Sequence, residues 1–220
     1  MTRVLIVDFN GPGLLALGQC FAAVLQALLR QVTCSLCAPY LGQAPPDGVF
    51  DGVMLTGPCV DAPEGWVLRY IRRQVTCWKL PIWGACNGMQ LAVFKMGGVC
   101  AASPHGDEDG LAEAITSTNI GRYHPMMQRL PAGARLLAGN THSLVQAFTY
   151  NTANFSFWGK QYHPEFSIAE FATWLADRGK PLPDTEEWDG QGDLALATWT
   201  LELQNWQADV TPRHRTTGAK

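Results

Sequence analysis

The chain has 220 residues, of which 47% are hydrophobic and 16% charged, and a formal net charge of −3. That length supports one sizeable core, and the composition lies far from the charge-rich, apolar-poor mix of disordered chains. The charge excludes a general electrostatic pull toward nucleic acid or anionic lipid, so a small molecule or a protein is the expected partner, and no apolar stretch has the length of a membrane span.

In chain order, Val4 to Val7 form a short apolar run closed by Asp8 and the turn Gly11-Pro12-Gly13. The run is too short for the apolar core of a secretory leader, and none is expected. Leu14 to Leu29 has apolar residues on nearly every turn and predicts a helix. Val32 to Leu36 predicts a second strand, and Val53 to Leu55 a third, entered from Phe50-Asp51-Gly52 and ending at Thr56-Gly57-Pro58. Trp66 to Thr76 has helical spacing with Arg69, Arg72 and Arg73 on one side, and Leu80 to Trp83 predicts a fourth strand.

After Gly97-Gly98 the pattern loosens into a more antiparallel region, with strands expected over Glu113 to Thr118 and Leu144 to Tyr150. Phe157 to Tyr162 predicts a strand that delivers His163-Pro164-Glu165. Ile168 to Asp177 predicts an amphipathic helix closed by Gly179 and then Pro181. Beyond it a polar linker, Pro181 to Gly192, and a last helix, Leu194 to Trp206, are expected. The expected organisation is one α/β domain over 1–180, with 181–220 as linker, helix and tail packing on it or on a partner.

Strands alternating with helices, with apolar runs fit for burial on both faces, argue for a mostly parallel central sheet flanked by helices. Ligands gather at the carboxyl ends of such strands, so Asp8, Thr56 to Cys59 and Gly84 to Gly88 are expected along one edge.

The seven cysteines are odd in number and scattered, which argues for free thiols in a reducing, cytoplasmic setting. Cys34 and Cys37 form a Cys-x-x-Cys, but no second pair stands at zinc spacing, and they read as strand thiols. The acidic run Asp107 to Asp109 lacks the alternation of a calcium loop. No metal and no cofactor are expected.

Chemistry concentrates at Pro81-Ile82-Trp83-Gly84-Ala85-Cys86-Asn87-Gly88-Met89-Gln90, an apolar strand running into Gly-x-Cys-x-Gly and a helix-compatible stretch. This is the layout of a nucleophile elbow with cysteine in place of serine. A helix N-terminus favours thiolate, and the N–H of Asn87 is placed to donate to an oxyanion. Alone, the motif suits a buried small residue in a glycine-rich turn equally well. The second motif, Gln161-Tyr162-His163-Pro164-Glu165, supplies what a cysteine nucleophile needs, a base and a group to orient it. Taken by itself it could also be a simple strand exit.

Together, GACNGMQ and the later QYHPEF resemble the class I, or triad, glutamine amidotransferases, whose pattern is Gly-x-Cys-x-Gly-x-Gln followed by a strand ending in His-Pro-Glu. The resemblance is to stand-alone proteins similar to the amidotransferase domain of GMP synthase. It runs roughly over residues 3–178 and takes in VLIVD, DGVMLTG, Gly97-Gly98 and FWGKQYHPEF. It implies the flavodoxin-like three-layer sandwich of that family, the triad Cys86, His163 and Glu165, and a substrate contact from Gln90. The implied reaction is attack on an amide carbonyl of glutamine or another γ-glutamyl amide, giving a γ-glutamyl thioester, ammonia and, after hydrolysis, glutamate. A separate synthetase would accept the ammonia. The alternatives are a free-standing γ-glutamyl hydrolase or peptidase and a catalytically impaired scaffold of the same fold.

Two departures from the family pattern stand out. Relatives carry Gly-Gly-Pro or Thr-Gly-Ser-Pro after the third strand, where a backbone N–H completes the oxyanion hole, whereas this chain reads Thr56-Gly57-Pro58-Cys59. Proline has no N–H, and losing such a donor costs about 10²–10³ in rate unless Gly57 takes its place. Between His124 and Gln146, a strand and a histidine-bearing loop of the relatives are expected to be missing. His142 is the residue that could stand in as a substrate contact beside Pro58.

Overall fold

The computed structural model describes residues 1–9, 17–29, 31–56, 80–101, 111–113, 118–120, 126–139, 144–153, 156–161, 173, 176 and 179. Among them the strands are β1 (Thr2–Asp8), β2 (Val32–Cys37), β3 (Gly52–Thr56), β4 (Ile82–Ala85), β5 (Val99–Ala101), β6 (Leu111–Glu113), β7 (Thr118–Ile120), β8 (Met126–Arg129), β9 (Arg135–Ala138), β10 (Ala147–Asn151) and β11 (Ser156–Lys160). The helices are α1 (Leu17–Leu28) and α2 (Asn87–Met96), with a 3₁₀ turn over Pro39–Leu41.

Seven strands form one sheet in the order β2-β1-β3-β4-β11-β10-β9. The pairs from β2 through to β11 are parallel, and the β11–β10 and β10–β9 pairs are antiparallel. Central strands covered on both faces have no reason to alternate, and Val4 to Asp8, Gly52 to Thr56 and Ile82 to Ala85 are buried without a break.

The period of two sorts the core into two layers. Val4, Ile6, Met54, Trp83 and Ala85 face α1, whose Phe21 and Leu25 stand one turn apart on one stripe. Phe21 meets Trp83 edge to face at 5.4 Å between ring centroids, a geometry that adds about 0.5–1.5 kcal/mol to burial alone. Leu5, Val7, Val53, Leu55, Ile82, Phe148 and Phe157 point the other way, onto Met89, Ala92 and Val93 of α2. Helix, sheet and helix make the three-layer α/β sandwich that the alternation of elements predicts.

At the entry to β3 the Asp51 carboxylate accepts the Arg3 N–H at 2.7 Å, while the Asp51 N–H bonds the Arg3 carbonyl at 2.8 Å. This pair sets the register in which Asp8 lies opposite Thr56.

Two expectations need correction. Glu113 and Thr118 are not two ends of one strand: they face each other as register partners in the antiparallel pair β6–β7. The strand expected from Leu144 begins at Ala147, because Leu144 is exposed and Gln146 bonds the Ala138 carbonyl at the bulged start of the β9 pairing. The stretch between His124 and Gln146 carries two strands that the sequence pattern did not single out, β8 and β9; β8 pairs with β5 and β9 pairs with β10 in the main sheet. Their short, mixed runs, MMQR and RLLA, give no clean period of two.

Of the helix expected over Ile168 to Asp177, Thr173 and Ala176 are described and are helical, and the Gly179 N–H bonds the Ala176 carbonyl. The helices expected over Trp66 to Thr76 and Leu194 to Trp206 lie outside the described residues. No described helix is long and apolar enough to cross a membrane.

Candidate active site

The carboxyl ends of β1, β3, β4 and β11 adjoin one another in the sheet, and they bring Asp8, Thr56, Cys86 and Gln161 to one edge. Cys86 occupies the single residue between β4 and α2, with φ 48° and ψ −121°. A non-glycine residue held in such a region costs about 1–3 kcal/mol, which the surrounding structure has to sustain.

Two glycines make that turn fit. A Cβ on Gly88 would lie well under 3.0 Å from the Leu55 carbonyl oxygen, so only glycine lets the first turn of α2 press against β3. A Cβ on Gly84 would come to 3.0 Å from the backbone of Met89 and from the Phe157 ring. Backbone contacts then lock the elbow: the Cys86 N–H donates to the Lys160 carbonyl at 2.7 Å, and the Gln90 N–H donates to the Cys86 carbonyl at 3.0 Å. Cys86 is the N-cap of α2 without a side-chain capping bond, so its sulfur is not spent on the helix end.

The sulfur has a side-chain partner that sequence reasoning did not single out. Gln161 Nε2 stands 3.9 Å from Cys86 Sγ, and Gln161 Oε1 accepts from Gln90 Nε2 at 3.0 Å. All three residues are buried. The pattern contained the signal: Gln90 lies four residues after Cys86 on a helix, and Gln161 continues the alternation of Phe157 and Gly159 toward α2.

On the opposite face of the sheet, Thr56 Oγ1 donates to Asp8 Oδ1 at 2.9 Å, a buried bond between the last residues of β1 and β3. Lys160 is buried there too, opposite the small residues Ala85 and Ala147 in register. An apolar strand pattern gives no warning of that lysine.

Asn87 opens α2, so its N–H has no acceptor within the helix. Gly57, Pro58, His142, His163 and Glu165 lie outside the described residues, so of the predicted site the structure describes Cys86, Gln90 and the backbone of Asn87. Among the described residues no three His, Cys, Asp or Glu side chains converge to hold a metal. The cysteines Cys20, Cys34, Cys37, Cys86 and Cys100 are free thiols. Burial pushes the Cys34 thiol up to about 11 and the Cys100 thiol up to about 12, because a thiolate there would lose its hydration.

A family model described as glutamine amidotransferase class-I matches residues 43–179. A curated protein of Pseudomonas sp., gamma-glutamyl-L-1-hydroxyisopropylamide hydrolase, is 31% identical across 76% of this chain, and this chain spans 64% of that relative's length. Among solved structures, a GMP synthase-type protein of Thermoplasma acidophilum has TM-score 0.62 and 20% identity, covering 82% of this chain and 98% of its own. A glutamine amidotransferase of Methylobacillus flagellatus has TM-score 0.64 and 20% identity, covering 96% and 92%. At such identities these two likenesses speak for the fold.

Proposed function

This chain belongs to the class I glutamine amidotransferase family, and on that premise we propose that it hydrolyses the side-chain amide of glutamine or of a related γ-glutamyl compound, with Cys86 as nucleophile. The observation that carries the reading is the strained Cys86 turn between β4 and the N-terminus of α2, tied by its N–H to the strand that leads toward His163. A residue held at positive φ, with its sulfur unused by the helix cap, fits a role that packing alone does not require.

In this reading His163 takes the Cys86 proton and Glu165 orients the imidazole. The thiolate attacks the amide carbonyl, the N–H groups of Asn87 and Gly57 stabilise the oxyanion beside Pro58, and the C–N bond breaks as His163 returns the proton to the leaving ammonia. Water then cleaves the γ-glutamyl thioester to release glutamate and the thiol. Gln90 acts at this site from one turn into α2, and His142 is a further substrate contact. The segment 181–220 packs on the 1–180 domain or on a synthetase that takes up the ammonia, and the free thiols suit a reducing cytoplasm.

A second reading, hydrolysis of a γ-glutamyl amide with no acceptor partner, is favoured by the name of the Pseudomonas relative. One assay separates them: glutamate release by the purified chain from glutamine and from a panel of γ-glutamyl amides and peptides, beside Cys86→Ala. Cysteine-dependent release supports the triad, and the preferred amide decides between the two readings. Release that persists in Cys86→Ala would overturn both, and no release from any substrate would favour a binding scaffold.

A further inference from the structure

Resting on Cys86 as the nucleophile, we propose that Gln161 is a second catalytic group, whose side-chain amide, oriented by Gln90, donates to the Cys86 sulfur and holds it ready for attack. A primary amide has one accepting and one donating end. Gln90 Nε2 occupies the accepting end, Gln161 Oε1, at 3.0 Å, so the NH₂ end is the one turned to the sulfur at 3.9 Å. The Gln161 backbone is fixed as well, its N–H donating at 2.7 Å to the carbonyl of Gln146, the residue before β10.

The three side chains are buried, at 0% exposure for Gln161, 2% for Gln90 and 3% for Cys86. Away from water, a donor aimed at sulfur favours the thiolate over the thiol, while an acceptor in the same place favours the thiol. The direction in which the amide points is therefore a chemical choice, and Gln90 makes it. When the thiol ionises, the proton passes to His163 in the reading above, and the amide donates without itself gaining or losing one. Gln90 acts through Gln161 and is a positioning residue.

The test reads the thiol without substrate. The whole chain is pulsed with iodoacetamide across a pH series, and alkylation of each cysteine is followed by mass spectrometry of its peptide. Gln161→Glu keeps the side-chain volume but removes the donor. Gln90→Glu leaves Gln161 intact but offers it an acceptor, which turns Oε1 toward the sulfur. Each is expected to slow Cys86 alkylation near neutral pH about tenfold and to move the acid limb of the pH–rate profile upward, the scale of one charge-assisted hydrogen bond. Cys34 and Cys100 should alkylate at unchanged, slow rates, which reports an intact fold. Gln161→Asn, which keeps the amide but shortens its reach, serves where a charged variant disturbs that fold, and it should slow Cys86 in the same direction.

Wild-type Cys86 reactivity in the folded Gln161 variants would overturn the proposal. Slowing in Gln161→Glu with none in Gln90→Glu would overturn the orienting role of Gln90. If glutamate release needs Cys86 yet the Gln161 variants alkylate like wild type, only the Gln161 assignment falls. If release survives Cys86→Ala, the nucleophile reading itself falls.

Discussion

The backbone N–H of Cys86 donates to the carbonyl of Lys160 at 2.7 Å, joining the turn after β4 to the last residue of β11. The two elements are parallel neighbours with Ala85 opposite Lys160, although much of the chain separates them in sequence. Through this bond the residue proposed as nucleophile and the segment that continues to Gln161 share one frame. In a proximity-driven reaction such a frame matters, because misplacement by about 1 Å can cost on the order of 10² in rate.

Strain at Cys86 should be measurable. Glycine adopts φ 48° without the Cβ penalty, so Cys86→Gly is expected to be more stable than Cys86→Ala by about 1 kcal/mol, the relief of strain exceeding glycine's greater chain entropy. Urea unfolding of the two variants, both expected to be inactive in glutamate release, checks this. Equal midpoints would mean that the turn relaxes once sulfur is gone.

Gly88 is expected to tolerate no side chain. A methyl group there would run into the Leu55 carbonyl oxygen, so Gly88→Ala must push α2 away from β3. We expect a loss of about 1–3 kcal/mol in unfolding free energy, the usual scale of overpacking, together with loss of turnover as Cys86 shifts with the helix. Denaturant unfolding and the amide assay read the two effects separately, and a stable, fully active variant would contradict the contact.

Thr56→Val removes the donor from a buried carboxylate while keeping the volume. The Thr56–Asp8 bond at 2.9 Å ends the strand that runs directly into Gly57. A loss of about 1–3 kcal/mol is expected. Glutamate release should fall as well, since the proposed oxyanion donor is the next residue. Thr56→Ser, which keeps the hydroxyl, should recover most of both.

Alkaline pH should destabilise the fold through Cys34 and Cys100. Their thiols ionise at about 11 and about 12 in the native chain, against 9.0 for an exposed thiol. Between pH 9 and pH 12 the unfolded chain therefore binds fewer protons than the native one, and stability falls as pH rises. Below pH 9 the two cysteines contribute no pH dependence. Melting temperatures of the wild type and of Cys100→Ala across this range check the sign, and the alkaline slope should be shallower in the variant.

What was legible in the sequence had a local physical cause. Continuous apolar runs such as VLIV and GVML read as central strands because a parallel sheet covered on both faces wants no polar positions. Gly84, Cys86 and Gly88 announced the elbow because only glycine fits where helix and strand backbones nearly touch. Class I membership was legible from resemblance, carried by two short motifs, GACNGMQ and QYHPEF.

The tertiary structure alone decided what depends on register between distant strands. It set Gln161 against Cys86, Thr56 against Asp8, and Lys160 into a buried place beside Ala85 and Ala147. It also turned β8 and β9, short runs without a period, into strands, because their pairing energy comes from the neighbours β5 and β10 rather than from their own residues. A sequence states which side chains are available, and strand order and register decide which of them meet.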